Sequence, residues 1–249
     1  MITKNELNEY SQLKGYNLGQ TETDYLQHLF LIFLSRYSAN AVVFKGGTAL
    51  QKAYGLNRFS IDLDFAQNQE DKLPEIMARI GKGITEFGYA AKLEEIKTVG
   101  KTFILKINGP LYANVDRSVC SLKIEISKRE EIILKPKLKT ITPTYPDLQP
   151  YTMLIMDEEE ILAEKVRAIM TRNKPRDIFD LNFLLNKGIK FNIELIGKKL
   201  AYYKEEYDKK KFIVKIVEKK NLWEKELKNF VPNVPDFDAV LKDISKVIE

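Results

Sequence analysis

Residues 41–65 constrain this chain more than any other stretch, because a short strand, a glycine turn, a helix and a second strand follow one another with almost no spare residues. Ala41 to Phe44 is an apolar run that reads as a strand, Gly46 and Gly47 turn the chain, and Thr48 to Tyr54 reads as a helix ended by Gly55. Amide N–H groups freed at a helix start point outward, and glycines let an anion approach closely. Lys45-Gly46-Gly47-Thr48 therefore reads as a phosphate-binding turn, with the Thr48 hydroxyl as a further donor. Ile61-Asp62-Leu63-Asp64-Phe65 alternates apolar and acidic residues, as a strand does, so Asp62 and Asp64 share one face. Two adjacent carboxylates repel unless a cation neutralises them or one keeps its proton. Hard oxygen donors in that arrangement suit Mg2+ or Mn2+. An edge strand with a solvated acidic face has the same pattern, and the glycine turn ahead of it favours the metal.

The stretch Lys-Gly-Gly-Thr-Ala-Leu, followed by Arg58, Ser60, Asp62 and Asp64, resembles the nucleotidyltransferases of the DNA-polymerase-beta-like superfamily. Within it, the AbiEii-type group (MenT-like toxins of bacterial and archaeal toxin–antitoxin pairs) is the match. The resemblance implies that Gly46, Gly47 and Thr48 hold nucleotide phosphates, that Asp62 and Asp64 bind divalent metal, and that Arg58 and Ser60 support that site. It also implies a third carboxylate on a neighbouring strand. Ser121 to Ser127 offers one: alternation puts Leu122, Ile124 and Ile126 on a core face and Glu125 on the other, where it would complete a two-metal clamp. An exposed strand glutamate beside Lys123 is the other reading.

A second informative stretch runs from Asp157 to Asn186. Ile161, Leu162, Val166 and Ile169 lie at helical spacing on a helix expected from Glu158 to Thr171, and Lys165 falls inside their stripe while Arg167 points away. An inward lysine needs an anionic partner, and a nucleotide phosphate would serve, unless the stem snorkels its ammonium to water. Pro175 suits the first turn of a following helix that runs to Asn186, with Gly188 beyond it. On that helix Asp177 leans towards the apolar side and Asp180 sits at its margin, although both acids could simply complement the helix dipole. The AbiEii-type resemblance extends to Lys165, Arg176 and Asp177. It implies nucleotide binding for Lys165 and Arg176 and a catalytic part for Asp177.

Forty-four per cent of the 249 residues are apolar, enough for a real core in one compact body or two small domains. The single cysteine, Cys120, excludes an intramolecular disulfide and a Cys-rich zinc site and reads as a small buried hydrophobe in a reducing cytoplasm. The single histidine, His28, excludes a multi-histidine metal cluster. It reads as a helix residue at the core margin, because Thr21 and Asp24 resemble a capping box ahead of the apolar run from Leu29 to Leu34. That run is too short to cross a bilayer, and no apolar segment suggests secretion. Net charge is +5, with Lys209-Lys210-Lys211 and Lys219-Lys220 late in the chain among Tyr202, Tyr203, Tyr207, Phe212 and Trp223. Such a surface can follow an RNA backbone and stack on bases; equally, interspersed acids such as Glu205 and Glu218 leave a solvated helix face with its aromatics in the core.

The expected architecture is α/β: a nucleotidyltransferase-type mixed sheet with flanking helices, then a mostly helical region. Residues 1–150 would be the catalytic domain and 151–249 a helical domain completing the active site. A polar helix is expected from Lys72 to Phe87, strands near Lys92–Lys97, Thr102–Asn108 and Leu122–Ser127, and an irregular crossover from Pro136 to Pro150. The resemblance implies transfer of a nucleotide from a nucleoside triphosphate to an acceptor hydroxyl, the 3′ end of a tRNA, by a cytoplasmic toxin with a cognate antitoxin. A metabolite or protein acceptor, or nucleotide binding without catalysis, are the competing readings.

Overall fold

The computed structural model describes residues 1–38, 40–68, 73–97, 101–128 and 131–248. They form two compact units. The first comprises Met1–Gly55, Phe59–Glu131 and Pro136–Ile155; the second comprises Leu56–Arg58, Ile132–Lys135 and Met156–Glu249.

The first unit begins with α1 (Lys4–Lys14), where Thr3 and Glu6 form a capping box. In α2 (Leu18–Ser38) the cap is Asn17: its Oδ1 accepts from Gln20 N at 2.9 Å, and Gln20 Oε1 accepts from Asn17 N at 3.0 Å. This amide pair starts the helix a turn earlier than the expected Thr21–Asp24 box, and both of those residues are buried within α2. Then follow β1 (Val42–Lys45), α3 (Gly46–Tyr54), β2 (Leu63–Gln67), α4 (Leu73–Phe87), β3 (Ala91–Lys97), β4 (Lys101–Ile107), β5 (Cys120–Ser127), β6 (Lys137–Ile141) and β7 (Tyr151–Ile155). Lys72, expected to open α4, lies outside the described residues.

The strands form one mixed seven-stranded sheet in the order β3-β4-β5-β2-β1-β7-β6. β2 runs antiparallel to β1 and parallel to β5, in a register that pairs Asp64 with Lys45 on one side and with Glu125 on the other. Along β2 and β5 the core face carries Leu63, Phe65, Leu122, Ile124 and Ile126, all at most 1% exposed, and Phe65 meets Phe30 of α2. The stretch expected to be an irregular crossover contains β6, which forms an antiparallel hairpin with β7 at the sheet edge. Its Lys-Leu-Lys-Thr-Ile sequence lacks a buried alternating face, and Leu138 is 65% exposed, so no strand signal marks it.

The second unit is helical: α5 (Glu158–Thr171), α6 (Pro175–Asn186), α7 (Ile193–Ala201), α8 (Lys209–Val217), α9 (Lys220–Leu227) and α10 (Phe237–Val247). α5 starts where the Asp157 side chain accepts from Glu159 N at 2.9 Å, and its dipole is met by Glu158, Glu159 and Glu160. Ile161, Leu162, Val166 and Ile169 of α5 are fully buried, as are Leu181 and Leu184 of α6. Phe212 and Trp223 are core residues here. Tyr207 packs on Phe191 and Phe212, Tyr203 lies beneath the Arg167 guanidinium, and Tyr202 remains exposed. Lys219 is itself buried and donates to the Ile169 and Lys215 carbonyls at 2.9 and 2.7 Å. Of the late aromatics, Phe212 and Trp223 are thus core, Tyr203 and Tyr207 half-buried and Tyr202 exposed, while Lys209, Lys210, Lys211 and Lys220 all remain exposed.

A buried charge organises the first unit. Asp24, 1% exposed, accepts from Lys14 at 2.6 Å, Lys52 at 2.8 Å, the Tyr145 hydroxyl at 2.8 Å and Gln51 at 3.1 Å. Burial opposes its charge, but the ammonium groups of Lys52 foremost and of Lys14 hold the carboxyl well below the usual carboxylate range. His28 lies in the interior rather than at the core margin. Burial, with Lys52 beside it, keeps its pKa well below the usual value, and Nδ1 lies 2.9 Å from the Tyr151 hydroxyl. Asp24→Asn leaves two ammonium groups facing a neutral amide and should cost about 3–5 kcal/mol. Because the folded pKa is depressed, that contribution is complete above about pH 4 and disappears as pH falls towards the folded value. Urea unfolding across the acid range should show the gap between wild type and variant narrowing as pH drops; a constant gap would refute the assignment.

Candidate active site

The carboxylate face is built by β2 and β5. Asp64 and Glu125 occupy paired positions on these parallel strands, half-buried on the side opposite the core; Asp62, also half-buried, lies just before β2, because the strand expected from Ile61 begins only at Leu63 and Ile61 is 43% exposed rather than packed inward. Gly46 opens α3 with φ +73°, and a Cβ placed there would sit 2.5 Å from Asp64 Oδ2. Glycine is therefore needed twice over, for the left-handed backbone and for the room that Asp64 occupies. The position of Asp64 beside a helix start also favours its charge. Gly47 and Thr48 are buried in the first turn of α3, and Lys45, its cap residue, is 8% exposed.

Thr48 turns inward. Its Oγ1 lies 2.8 Å from Ser60 Oγ and hydrogen-bonds the Asp62 carbonyl oxygen. Gln27 of α2 adds two bonds to the same segment, at 3.0 Å to the Ser60 carbonyl and 2.7 Å to the Ile61 carbonyl. Thr48, Ser60 and Gln27 together fix the backbone that delivers Asp62. Gln27 has no motif signal; only its place in the apolar run of α2 could have hinted at it.

Across the same face, Lys123 makes an ion pair with Glu125. That hydrogen bond raises the lysine pKa above its ordinary value; burial opposes the rise, and the charges of Glu125, Asp62 and Asp64 add to it. Among the described residues no three His, Cys, Asp or Glu side chains are gathered closely enough to enclose a metal ion. The donor chemistry nevertheless fits a hard divalent cation: three carboxylates share one half-buried face, and an ammonium already answers their charge.

In the second unit Lys165, 6% exposed, points inward, and its ammonium bridges Asp177 Oδ1 at 3.1 Å and Asp180 Oδ2 at 2.7 Å. Arg172 clamps Asp177 through Nε and Nη2, both at 2.8 Å. Arg58 clamps Asp180 through Nε at 2.6 Å and Nη2 at 2.7 Å. Both aspartates are fully buried. Burial alone would raise their pKa values, yet Lys165 and Arg172 at Asp177, and Arg58 and Lys165 at Asp180, hold both below the usual range. Three cations against two carboxylates leave the cluster with a formal charge of +1. Arg176 lies over the Phe230 ring, 5.4 Å from its centroid. Asp180, placed at the stripe's margin by its spacing, is an equal member of this network; three residues after Asp177, it shares that helix face, which is the signal that could have found it.

Asp180→Asn removes the carboxylate shared by Arg58 and Lys165 and leaves both cations short of a partner. A loss of about 3–5 kcal/mol in urea unfolding is expected; a change under 1 kcal/mol would show that the network does not hold the unit.

No sequence among the curated proteins matches the chain. Its fold is similar to that of MenT4, a nucleotidyltransferase toxin of Mycobacterium tuberculosis H37Rv, with a TM-score of 0.73 and 18% identity over 99% of this chain and 88% of that one. It is also similar to JHP933 of Helicobacter pylori, with a TM-score of 0.62 and 23% identity over 92% of this chain and 89% of that one. A model of the family described as nucleotidyl transferase AbiEii toxin, type IV toxin–antitoxin system, matches residues 32–243. The span takes in the glycine turn, the carboxylate face and the Lys165 network, and the chain belongs to the AbiEii nucleotidyltransferase toxin family.

Proposed function

We propose that this nucleotidyltransferase moves a nucleotide from a nucleoside triphosphate to the 3′-hydroxyl of a tRNA in a reaction dependent on Mg2+ or Mn2+. The transfer would block translation in the cytoplasm, and an antitoxin would restrain it. The observation that carries the reading is the placement of Asp62, Asp64 and Glu125 on one half-buried face beside the Gly46–Gly47 helix start. Asp62, Asp64 and Glu125 would hold the divalent cation, whose chemistry there is Lewis-acid polarisation and neutralisation of phosphate charge. The amides of Gly46 and Gly47 receive phosphate oxygens, with Lys45 at the cap. Thr48 and Ser60 act by fixing the Asp62 backbone. The acceptor oxygen bonds to the α-phosphorus as the bond to the bridging oxygen of the leaving pyrophosphate breaks, and the acceptor proton passes to water. Lys165 and Arg176 serve nucleotide binding. Asp177 serves catalysis by holding the Lys165 ammonium, and Arg58 keeps Asp180 charged for the same purpose.

No helix among the described residues is long and apolar enough to cross a membrane. With Phe212 and Trp223 in the core and Lys209, Lys210, Lys211 and Lys220 exposed, contact with RNA rests on charge more than on stacking, so transfer to RNA should fall steeply with salt.

Incorporation from each α-labelled nucleoside triphosphate into tRNA and into protein, with Mg2+, tests the reading. Label should enter RNA, and Asp62→Ala should lower the rate by about a hundredfold or more, roughly 3 kcal/mol of transition-state stabilisation. Label in protein alone would replace the acceptor, and binding of triphosphate with no pyrophosphate release would replace catalysis. Gly46→Ala should cut transfer by about tenfold or more, because the new methyl group displaces Asp64; an unchanged rate would mean that the position of Asp64 is not limiting.

A further inference from the structure

The metal reading leaves Lys123 unexplained. It alternates with Glu125 along β5, so both project to the carboxylate face, where Lys123 pairs with Glu125. The β4 residues registered opposite them, Ile104 and Thr102, are uncharged, so β4 supplies no cation at these positions. Three carboxylates on one half-buried face repel each other, and an ammonium in their midst relieves that repulsion when no metal is bound. A divalent cation needs the same Glu125 oxygens and repels a neighbouring ammonium.

We propose that Lys123 is the counter-cation of Glu125 on a carboxylate face where Lys45 is registered opposite Asp64, and that it is displaced from Glu125 when a divalent metal binds, so that it lowers the metal affinity of the site. The inference rests on the metal-dependent reading above. It assigns Lys123 a positioning role, with no contact to reacting atoms. Its consequences are that the metal-free site stays ordered and that free metal loads the site weakly. A triphosphate already carrying its cation brings negative charge that can accept the displaced ammonium, and so loads it better.

Mn2+ binding to the full chain, measured by the loss of the free-ion electron paramagnetic resonance signal, reads this directly and needs no turnover. Lys123→Gln keeps the length and polarity of the side chain but removes its charge, and should bind Mn2+ roughly three- to tenfold more tightly than wild type, the gap shrinking at high salt. Lys123→Arg should stay near wild type. Because Lys123 is half-exposed, the variants should fold, and matching thermal transitions verify that. Equal or weaker binding by Lys123→Gln, with wild type binding Mn2+, overturns the counter-cation role alone. No Mn2+ binding by wild type or by Lys123→Gln overturns the metal reading and this inference with it.

Discussion

Asp64 can lie against the first residue of α3 only because position 46 has no side chain and its backbone takes a left-handed turn. That contact couples the two motifs of residues 41–65. β1 and β2 pair so that Lys45 faces Asp64, and the helix leaves β1 one residue later. The strand that carries the carboxylates and the turn that presents the amides are thus held in register by backbone hydrogen bonds, and Asp64 is seated where a helix start favours negative charge. Thr48 and Gln27 continue the logic on the Asp62 side by donating to carbonyls of the approach segment, with the Ser60 hydroxyl accepting from Thr48. A carboxylate whose backbone is held at both ends loses little orientational freedom when it acquires a ligand, which is what preorganisation means here.

Buried charge recurs in both units, solved the same way each time. Asp24 collects two lysines, a tyrosine and a glutamine; Asp180 collects an arginine fork and a lysine; Asp177 shares that lysine and takes a second fork. Removing a carboxylate from such a cluster leaves buried cations with one anionic partner fewer, which costs more than the intact cluster adds to net stability. Glu160 plays the same part for residues 132–135: its two oxygens accept from Ile133 N at 3.0 Å and Leu134 N at 2.8 Å, while Lys199 neutralises it at 2.6 Å.

Local periodicity made much of this readable. β5, α5 and α6 follow their apolar spacing, α5 and α6 to the residue expected, because each buries one face against a core. β6 was illegible because an edge strand need not bury a face, and the start of α2 was misplaced because an Asn–Gln amide pair does the work of the expected box. The inward lean of Lys165 was visible in its spacing. Its carboxylate partners were not fixed by that spacing, since the wheel says which way a side chain points and not what it meets. Arg58 shows the limit most clearly: it sits inside the motif, yet its guanidinium is clamped on a residue more than a hundred positions away, and the segment 56–58 belongs to the second unit. Long-range pairing of that kind leaves no trace in local spacing.

The same distinction bears on how a chain of net charge +5 handles an anionic substrate. Many of its cations are already committed: Lys52, Lys165, Lys199 and Arg58 are bound to buried carboxylates, and Lys219 is spent on backbone carbonyls. Cations paired in this way cancel in the net charge, so the positive surface left for a polyanion is that of exposed lysines such as Lys209, Lys210, Lys211 and Lys220, while Phe212 and Trp223 beside them belong to the core. What remains for substrate recognition is local: amides at a helix start, three carboxylates suited to a hard cation, and a cationic excess of one in the Lys165 network. None of these features requires base stacking. Under the function proposed above, these groups would recognise phosphate and cation and carry no base preference of their own.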